Sequence, residues 1–267
     1  MNTIDIKKLQ TALSLIKHDE IGFFIDGKFV ELSSLIQLEI SKGKEIHELY
    51  QLTHYISQDV WNLLTIISRL EWQKNLVIEN KLDDGLWSLF VATDIYVFYS
   101  ELRSIFDYIA KIIQLISNTP NKTKSFEKLK NWIVKPENSG KISSDLSDFI
   151  SSCHWFYDVR GIRDKLIHEG AEPLVFPSKD RILFLIRRRD YKKIIIPEIM
   201  FNENVVDFEL YAGLYMAYIL IYLEEFSELV NKHLNLNEFK FMTKGYHMGF
   251  GITQEWINKI FVHKPNT

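Results

Sequence analysis

The segment Arg163-Asp164-Lys165-Leu166-Ile167-His168 combines the residue types of this chain that are best suited to chemistry. Histidine titrates near neutral pH, so it can take or give a proton during a reaction. Arginine stabilises an anion with its planar fork of N–H donors. Asp164 and His168 are four residues apart and share one face of a helix, where the carboxylate can orient the imidazole. The segment therefore predicts acid–base chemistry with an anionic transition state.

The spacing of Arg163 and His168 leaves two interpretations open. Five residues turn an α-helix by about 500°, so the two side chains start about 140° apart. Either the long arginine side chain bridges this angle, or a second chain supplies the partner. In the alternative interpretation, Arg163 and Asp164 belong to an ordinary solvated face, and His168 is a cation that the helix dipole favours at a C-terminus.

The motif is predicted to lie at the end of a helix over residues 154–169, because Gly170 follows it and glycine is common just after a helix. Apolar residues that recur every three or four positions predict the helices that surround it. These helices cover residues 3–17, 45–80, 86–117 and 125–134, a stretch that begins near residue 145, residues 207–232 and a short segment at 253–261.

Two short β-hairpins are predicted beside these helices. Asp26-Gly27 stands between the apolar runs 23–25 and 29–30, and this dipeptide is typical of a hairpin turn. Residues 181–186 and 194–196 are short β-like runs on either side of a charged stretch, which indicates a second hairpin. The expected fold class is therefore mainly α, with small β-hairpin appendages.

Composition supports long elements and excludes several classes of protein. The 267 residues include only 11 glycines and 6 prolines, and 46% are apolar, so few turns and a sizeable core are expected. A disordered chain, a collagen-like chain and a many-stranded β domain are excluded. The net charge of −3 argues against a protein that coats nucleic acid with general positive charge.

Metal and cofactor sites are not expected from the sequence. Cys153 is the single cysteine, so neither an intrachain disulfide nor a cysteine-rich metal site can form. The eight histidines do not follow a zinc spacing, and no glycine-rich phosphate loop is present. The N-terminus lacks the pattern of a signal peptide, and no run of 18 apolar residues occurs, so we expect a cytoplasmic protein without membrane contact.

The motif and its surroundings resemble the HEPN superfamily. The Arg-x4-His spacing with a polar residue after the arginine matches Arg163, Asp164 and His168. The second long helix carries Arg103-Ser104-Ile105-Phe106-Asp107-Tyr108-Ile109-Ala110, which is similar to Arg-Ser-x-x-Asp-Tyr-x-Ala runs in bacterial members. The resemblance extends over about residues 45–232, and it leaves out residues 1–42, the 171–200 insert and the extension after residue 232.

The resemblance implies a helical bundle of four to five core helices that often forms a homodimer. In active members, two motifs meet and form a metal-independent endoribonuclease site. His168 is then the general base or acid, Arg163 stabilises the phosphate and Asp164 orients the imidazole. RNA supplies its own 2′-hydroxyl as the nucleophile, so no cofactor is needed. Such proteins act in toxin–antitoxin systems or defence, which makes an antitoxin protein a candidate partner.

One position departs from a pattern found in the family. Some members carry a tyrosine two residues after the histidine, where it is a modification target in toxin–antitoxin pairs. The corresponding residue here is Gly170. This mode of regulation is therefore in doubt for this chain.

Basic residues near the motif are predicted to bind the substrate. Residues 179–193 contain seven basic and two acidic side chains within an acidic protein, which suits contact with an RNA backbone. The predicted substrate-binding residues are Arg160, Arg187, Arg188, Arg189 and Lys192. The alternatives are a charged hairpin tip that protects a sheet edge and, for Arg160, an ion pair with Asp164 at i, i+4.

Three further expectations concern the partner of Asp107, the alternative function and the domain organisation. Asp107 lies among apolar neighbours on its helix and needs a partner, for which Arg163 is the expected candidate. At the level of function, the alternative to an enzyme is a non-catalytic HEPN-like module that binds a nucleotide, RNA or a protein partner. The chain is expected to be one domain over residues 1–267, with residues 45–232 as its helical core.

Overall fold

The computed structural model of the protein describes residues 27–117, 119–120, 124–169, 172–178, 181–185, 200–202 and 204–236. Within these residues the fold is mainly helical. The predicted helices at 3–17 and 253–261 and the β-like run at 194–196 lie outside them. The α-helices are α1 (Gly27–Leu38), α2 (Lys44–Ile78), α3 (Asp84–Ser117), α4 (Phe126–Ile133), α5 (Ser144–Ser152), α6 (Phe156–His168) and α7 (Phe208–Leu234).

The long helices α2 and α3 form an antiparallel pair, as the order of their contacts shows. Tyr55 lies against Tyr108, with ring centroids 5.5 Å apart, and Arg69 forms an ion pair with Asp94 farther along. The chain turns between the helices at Asp83, whose Oδ1 accepts hydrogen bonds from the first backbone N–H groups of α3. The predicted helices 45–80 and 86–117 are confirmed, because their apolar stripes form the buried faces of this pair.

The first described helix corrects a prediction. Residues 29–30 were expected to form a strand after a turn at Asp26-Gly27, but residues 27–30 begin α1. The buried side chains of α1 are Phe29, Leu32, Leu35 and Ile36, which recur with the helical period. Burial of this stripe against α2 and α7 outweighs the local turn preference of Asp26-Gly27. The preceding apolar residues 23–25 lie outside the described part.

Helix α7 runs through the core, and most of its side chains are buried around nearly its whole circumference. Its predicted range, 207–232, agrees closely with Phe208–Leu234. Asp207 caps its start by accepting hydrogen bonds from the N–H groups of Glu209 and Leu210, at 3.1 and 3.3 Å. Tyr222 stacks on Phe149 of α5 at 4.0 Å between ring centroids. None of the described helices is long and apolar enough to cross a membrane.

Four short strands follow α6 and form one antiparallel sheet in the order β1-β2-β4-β3. The strands are β1 (Val175–Ser178), β2 (Arg181–Leu185), β3 (Met200–Asn202) and β4 (Val205–Asp207). Phe184 of β2 stands opposite Val175 of β1 and Val206 of β4. The predicted β2 is confirmed, but its partners in the described part are β1 and β4, so the 171–200 insert contributes to a sheet larger than a hairpin.

Candidate functional site

Helix α6 carries the Arg–His motif and is held by one apolar face. Phe156, Val159, Ile162 and Leu166 recur every three or four residues and are buried. Phe156 lies 5.1 Å from Phe106 of α3 between ring centroids, which fixes the start of α6 against that helix. The adjacent side of the helix is partly exposed to solvent. It carries Arg160, Arg163, Asp164 and His168.

Arg163 and His168 are in direct contact. Arg163 Nη1 lies 2.5 Å from His168 Nε2. A guanidinium group has no lone pair to accept a hydrogen bond, so Nη1 donates and Nε2 accepts. A hydrogen bond in this direction requires the imidazole tautomer whose proton is on Nδ1. The reach of the arginine side chain bridges the 140° that the helix places between the two residues.

Asp164 joins the same cluster mainly through Arg163. Its Oδ1 accepts a hydrogen bond from Arg163 Nη1 at 3.1 Å and lies 3.9 Å from His168 Nε2. The predicted common face of Asp164 and His168 is confirmed, but 3.9 Å is too long for a hydrogen bond. Asp164 thus acts on the imidazole through the arginine that both of them contact.

Arg160 lies between two carboxylates. Its Nε is 3.2 Å from Asp164 Oδ2, which confirms the expected i, i+4 ion pair. Its Nη1 is 2.7 Å from Oε1 of Glu127, a residue of α4 that the sequence analysis did not single out. The binding of substrate by Arg160 stays a prediction, and its guanidinium already has two acidic partners here.

The expected pairing of Asp107 with Arg163 is wrong. Asp107 Oδ1 instead lies 2.6 Å from Arg103 Nη1, one turn away on the same helix, and accepts a hydrogen bond from the backbone N–H of Phe126 at 3.0 Å. The i, i+4 partner on α3 is nearer than any partner on α6. Asp107 therefore ties the start of α4 to α3.

The motif is accessible to a ligand. The side chain of His168 is 64% exposed. Arg163 is partly buried, and its Nε is a buried N–H with no acceptor among the described residues. An exposed imidazole can exchange a proton with a ligand, and the adjacent guanidinium can bind an anion.

Several predicted site residues lie outside the described part of the chain. These are the substrate-binding candidates Arg187, Arg188, Arg189 and Lys192 of the basic stretch. Their contact with a substrate stays a prediction. Gly170, which follows the motif and is not a candidate site residue, is also outside it. A groove of about 650 Å³ lies elsewhere, between the first half of α2 and the second half of α3, and its lining includes Tyr55 and Lys111 but no residue of the motif.

A buried carboxyl group, that of Asp59 on α2, lies beside the partly buried Glu101 of α3. Asp59 is only 8% exposed, and its Oδ2 has no hydrogen-bond donor among the described residues. Burial, the hydrogen bond with Glu101 and the negative charge of Glu101 together raise the pKa of Asp59 to about 8. The fold therefore favours the protonated form of Asp59.

Two other reactive groups are occupied by structural contacts. Burial raises the pKa of the Cys153 thiol, which disfavours the nucleophilic thiolate. Lys130 is buried and donates hydrogen bonds to three carbonyl oxygens at the end of α5, those of Ile150, Ser151 and Cys153, at 2.6, 3.3 and 3.1 Å. No group of three histidine, cysteine or acidic side chains with the geometry of a metal site occurs within the described residues.

Comparison with known proteins does not assign the chain to a family. No family model matches it, and no curated protein and no solved structure matches it either. An inference about the function of this chain therefore depends mainly on the geometry of the Arg163–Asp164–His168 cluster.

Proposed function

We propose that the protein is a HEPN-like, metal-independent endoribonuclease. The observation that carries this proposal is the contact between Arg163 Nη1 and His168 Nε2 at an accessible surface. Proton transfer by an imidazole and anion stabilisation by a guanidinium are the two functions that RNA cleavage by its own 2′-hydroxyl requires. Asp164 holds the guanidinium beside the imidazole.

In the proposed reaction, the 2′-oxygen of RNA bonds to the adjacent phosphorus and the bond from phosphorus to the 5′-oxygen breaks. His168 Nε2 takes the proton of the 2′-hydroxyl, and Arg163 stabilises the negative charge on the phosphorane. The departing 5′-oxygen takes a proton from the His168 imidazole of a second copy, which must be protonated to the imidazolium for this step, so the two imidazoles exchange protonation states and the protons balance. The products are a 2′,3′-cyclic phosphate and a 5′-hydroxyl.

The arrangement of helices agrees with this proposal. Two long antiparallel helices, α2 and α3, precede the motif helix, and α6 packs against α3. The described helices are consistent with a HEPN-like bundle, and the sheet follows the motif helix as an insert before α7. The proposed setting is the cytoplasm, in defence or a toxin–antitoxin response, with RNA as substrate and an antitoxin protein as a further partner.

A homodimer would supply the second motif, and α3 offers a face for it. Leu86, Leu89, Phe90 and Tyr96 are exposed on the first half of α3, and Leu89 is 65% exposed. Helix α6 starts beside Phe106 and is followed by β1, which also packs on α3. The proposed homodimer uses this exposed face of α3 and pairs the two motifs.

The proposal is tested by cleavage of tRNA and total RNA in EDTA. We expect the wild type to cut, and His168→Ala and Arg163→Ala to cut roughly 100-fold more slowly or worse. Lys165→Ala is the matched control, because Lys165 lies on α6 but pairs with Glu169 instead of the motif. Absence of cleavage by the wild type, or full activity of His168→Ala, would contradict the proposal. RNA binding without turnover would instead favour the non-catalytic module.

A further inference from the structure

The polar cluster of the motif continues beyond α6 to another helix. Glu127 Oε1 lies 2.7 Å from Arg160 Nη1, and Arg160 Nε lies 3.2 Å from Asp164 Oδ2. Asp164 Oδ1 in turn lies 3.1 Å from Arg163 Nη1, which contacts His168. A series of alternating charges therefore links α4 to the imidazole.

The two oxygens of Asp164 have separate partners. Arg160 contacts Oδ2, while Oδ1 faces Arg163 and lies 3.9 Å from His168 Nε2. A carboxylate is planar, so holding one oxygen also fixes the direction of the other. Arg160 therefore determines how Asp164 presents its second oxygen to Arg163.

Arg160 needs an anchor of its own, because an arginine side chain has many rotamers. Glu127 supplies this anchor from the first turn of α4, where the helix dipole favours a negative charge. The start of α4 is itself fixed. Ser125 caps it by accepting a hydrogen bond from Lys128 N at 3.3 Å, and Asp107 of α3 accepts one from Phe126 N at 3.0 Å.

We infer that Glu127 is a positioning residue for the Arg163–His168 pair, acting through Arg160 and Asp164. It contacts neither reacting group. Its effect on His168 follows from the ion pairs alone, whereas its effect on catalysis rests on the proposed ribonuclease function. Without Glu127, Arg160 can leave Asp164, and Arg163 then loses the acceptor that holds it against His168 Nε2.

The first test measures the tautomer of His168 by ¹⁵N NMR of the full chain. In the wild type, Nε2 accepts from Arg163 and the proton is on Nδ1. We expect Glu127→Ala to shift both ring nitrogen signals toward those of a freely solvated imidazole. Glu127→Gln keeps a neutral acceptor for Arg160 and should give a smaller shift. Glu169→Gln is the matched control, because it removes the charge that pairs with Lys165 of α6 and leaves the side-chain contacts of Asp164 in place.

The second test separates kcat from KM in RNA cleavage. We expect Glu127→Ala to lower kcat roughly tenfold with little change in KM, since a misplaced reacting group slows the chemical step. Glu169→Gln should behave as wild type. Thermal unfolding of each variant checks that the fold is retained, and Glu127→Gln decides the question if Glu127→Ala does not fold.

Failure of the inference is distinguishable from failure of the proposed function. If the wild type cuts no RNA, the ribonuclease proposal is wrong, but the NMR signals still decide whether Glu127 positions the imidazole. If the His168 signals of both Glu127 variants coincide with the wild type, the inference is overturned, whether or not the protein is an enzyme.

Discussion

The buried carboxyl group of Asp59 makes folding stability depend on pH, and Asp59→Asn should remove that dependence. Burial and the neighbouring Glu101 raise the pKa of Asp59 from 3.8 to about 8. Between these two pH values the folded chain holds a proton that the unfolded chain has lost. The stabilisation that this proton provides is complete below the pKa of Asp59 in the unfolded chain. It is lost as the pH rises through the pKa of Asp59 in the folded chain.

The magnitude follows from linkage of one proton. The free energy of unfolding of the wild type should fall, relative to Asp59→Asn, by about 1.4 kcal/mol per pH unit. Over two units, from pH 5 to pH 7, the difference amounts to about 3 kcal/mol. Asparagine is always neutral and can donate to Glu101, so the variant keeps the contact without the titration.

Urea unfolding at several pH values provides the measurement. Asp145→Asn is the control, since the hydrogen bond from Lys232 lowers the pKa of Asp145 and its contribution is lost only in acid. Its curve should therefore run parallel to the wild type from pH 5 to pH 8. Parallel curves for the wild type and Asp59→Asn over that range would refute the assignment of the proton to Asp59.

Three further changes test other parts of the fold. Lys130→Met leaves three carbonyl oxygens at the end of α5 without their donor, and urea unfolding should show a loss of about 2–4 kcal/mol. Asp94→Asn weakens the ion pair with Arg69 and should lower the free energy of unfolding by about 1–3 kcal/mol. Leu89→Arg places a charge on the exposed face of α3, and sedimentation should show a dimer for the wild type and a monomer for the variant. Val134→Arg, at a 72% exposed apolar residue after α4, is its control, and a dimeric Leu89→Arg would contradict the proposed interface.

Elements with a long apolar period were predictable from the sequence, because one physical requirement specifies them. The stripe of α2 from Leu49 to Leu70 must be buried, and a helix is the conformation that gathers it on one face. The hairpin signal at Gly27 depended on two residues, and burial of Phe29 and Ile36 by the rest of the fold outweighed it. Short local signals are reliable only where the tertiary environment agrees with them.

In the candidate site, too, contacts between residues close in the sequence were easier to predict than contacts between distant residues. The contacts of Asp164 with Arg160 and His168 lie within one helix, and their spacing along the sequence made them predictable. Glu127 was missed because it is 33 residues from Arg160, and the packing of α4 beside α6 brings the two together. The partner of Asp107 was misassigned for a different reason: its i, i+4 spacing with Arg103 was a local signal in the sequence, and the distant Arg163 was chosen instead.

The contact that supports the proposed site also determines its resting state. Arg163 Nη1 donates to His168 Nε2, so the lone pair that a general base needs is occupied. A phosphate that takes the Nη1 hydrogen now directed at His168 would release that lone pair, because one hydrogen cannot be directed to both acceptors. Anion binding and activation of the base thus depend on one side chain. Lysine at position 163 would retain the charge but lose the planar fork, so it would not reproduce this coupling.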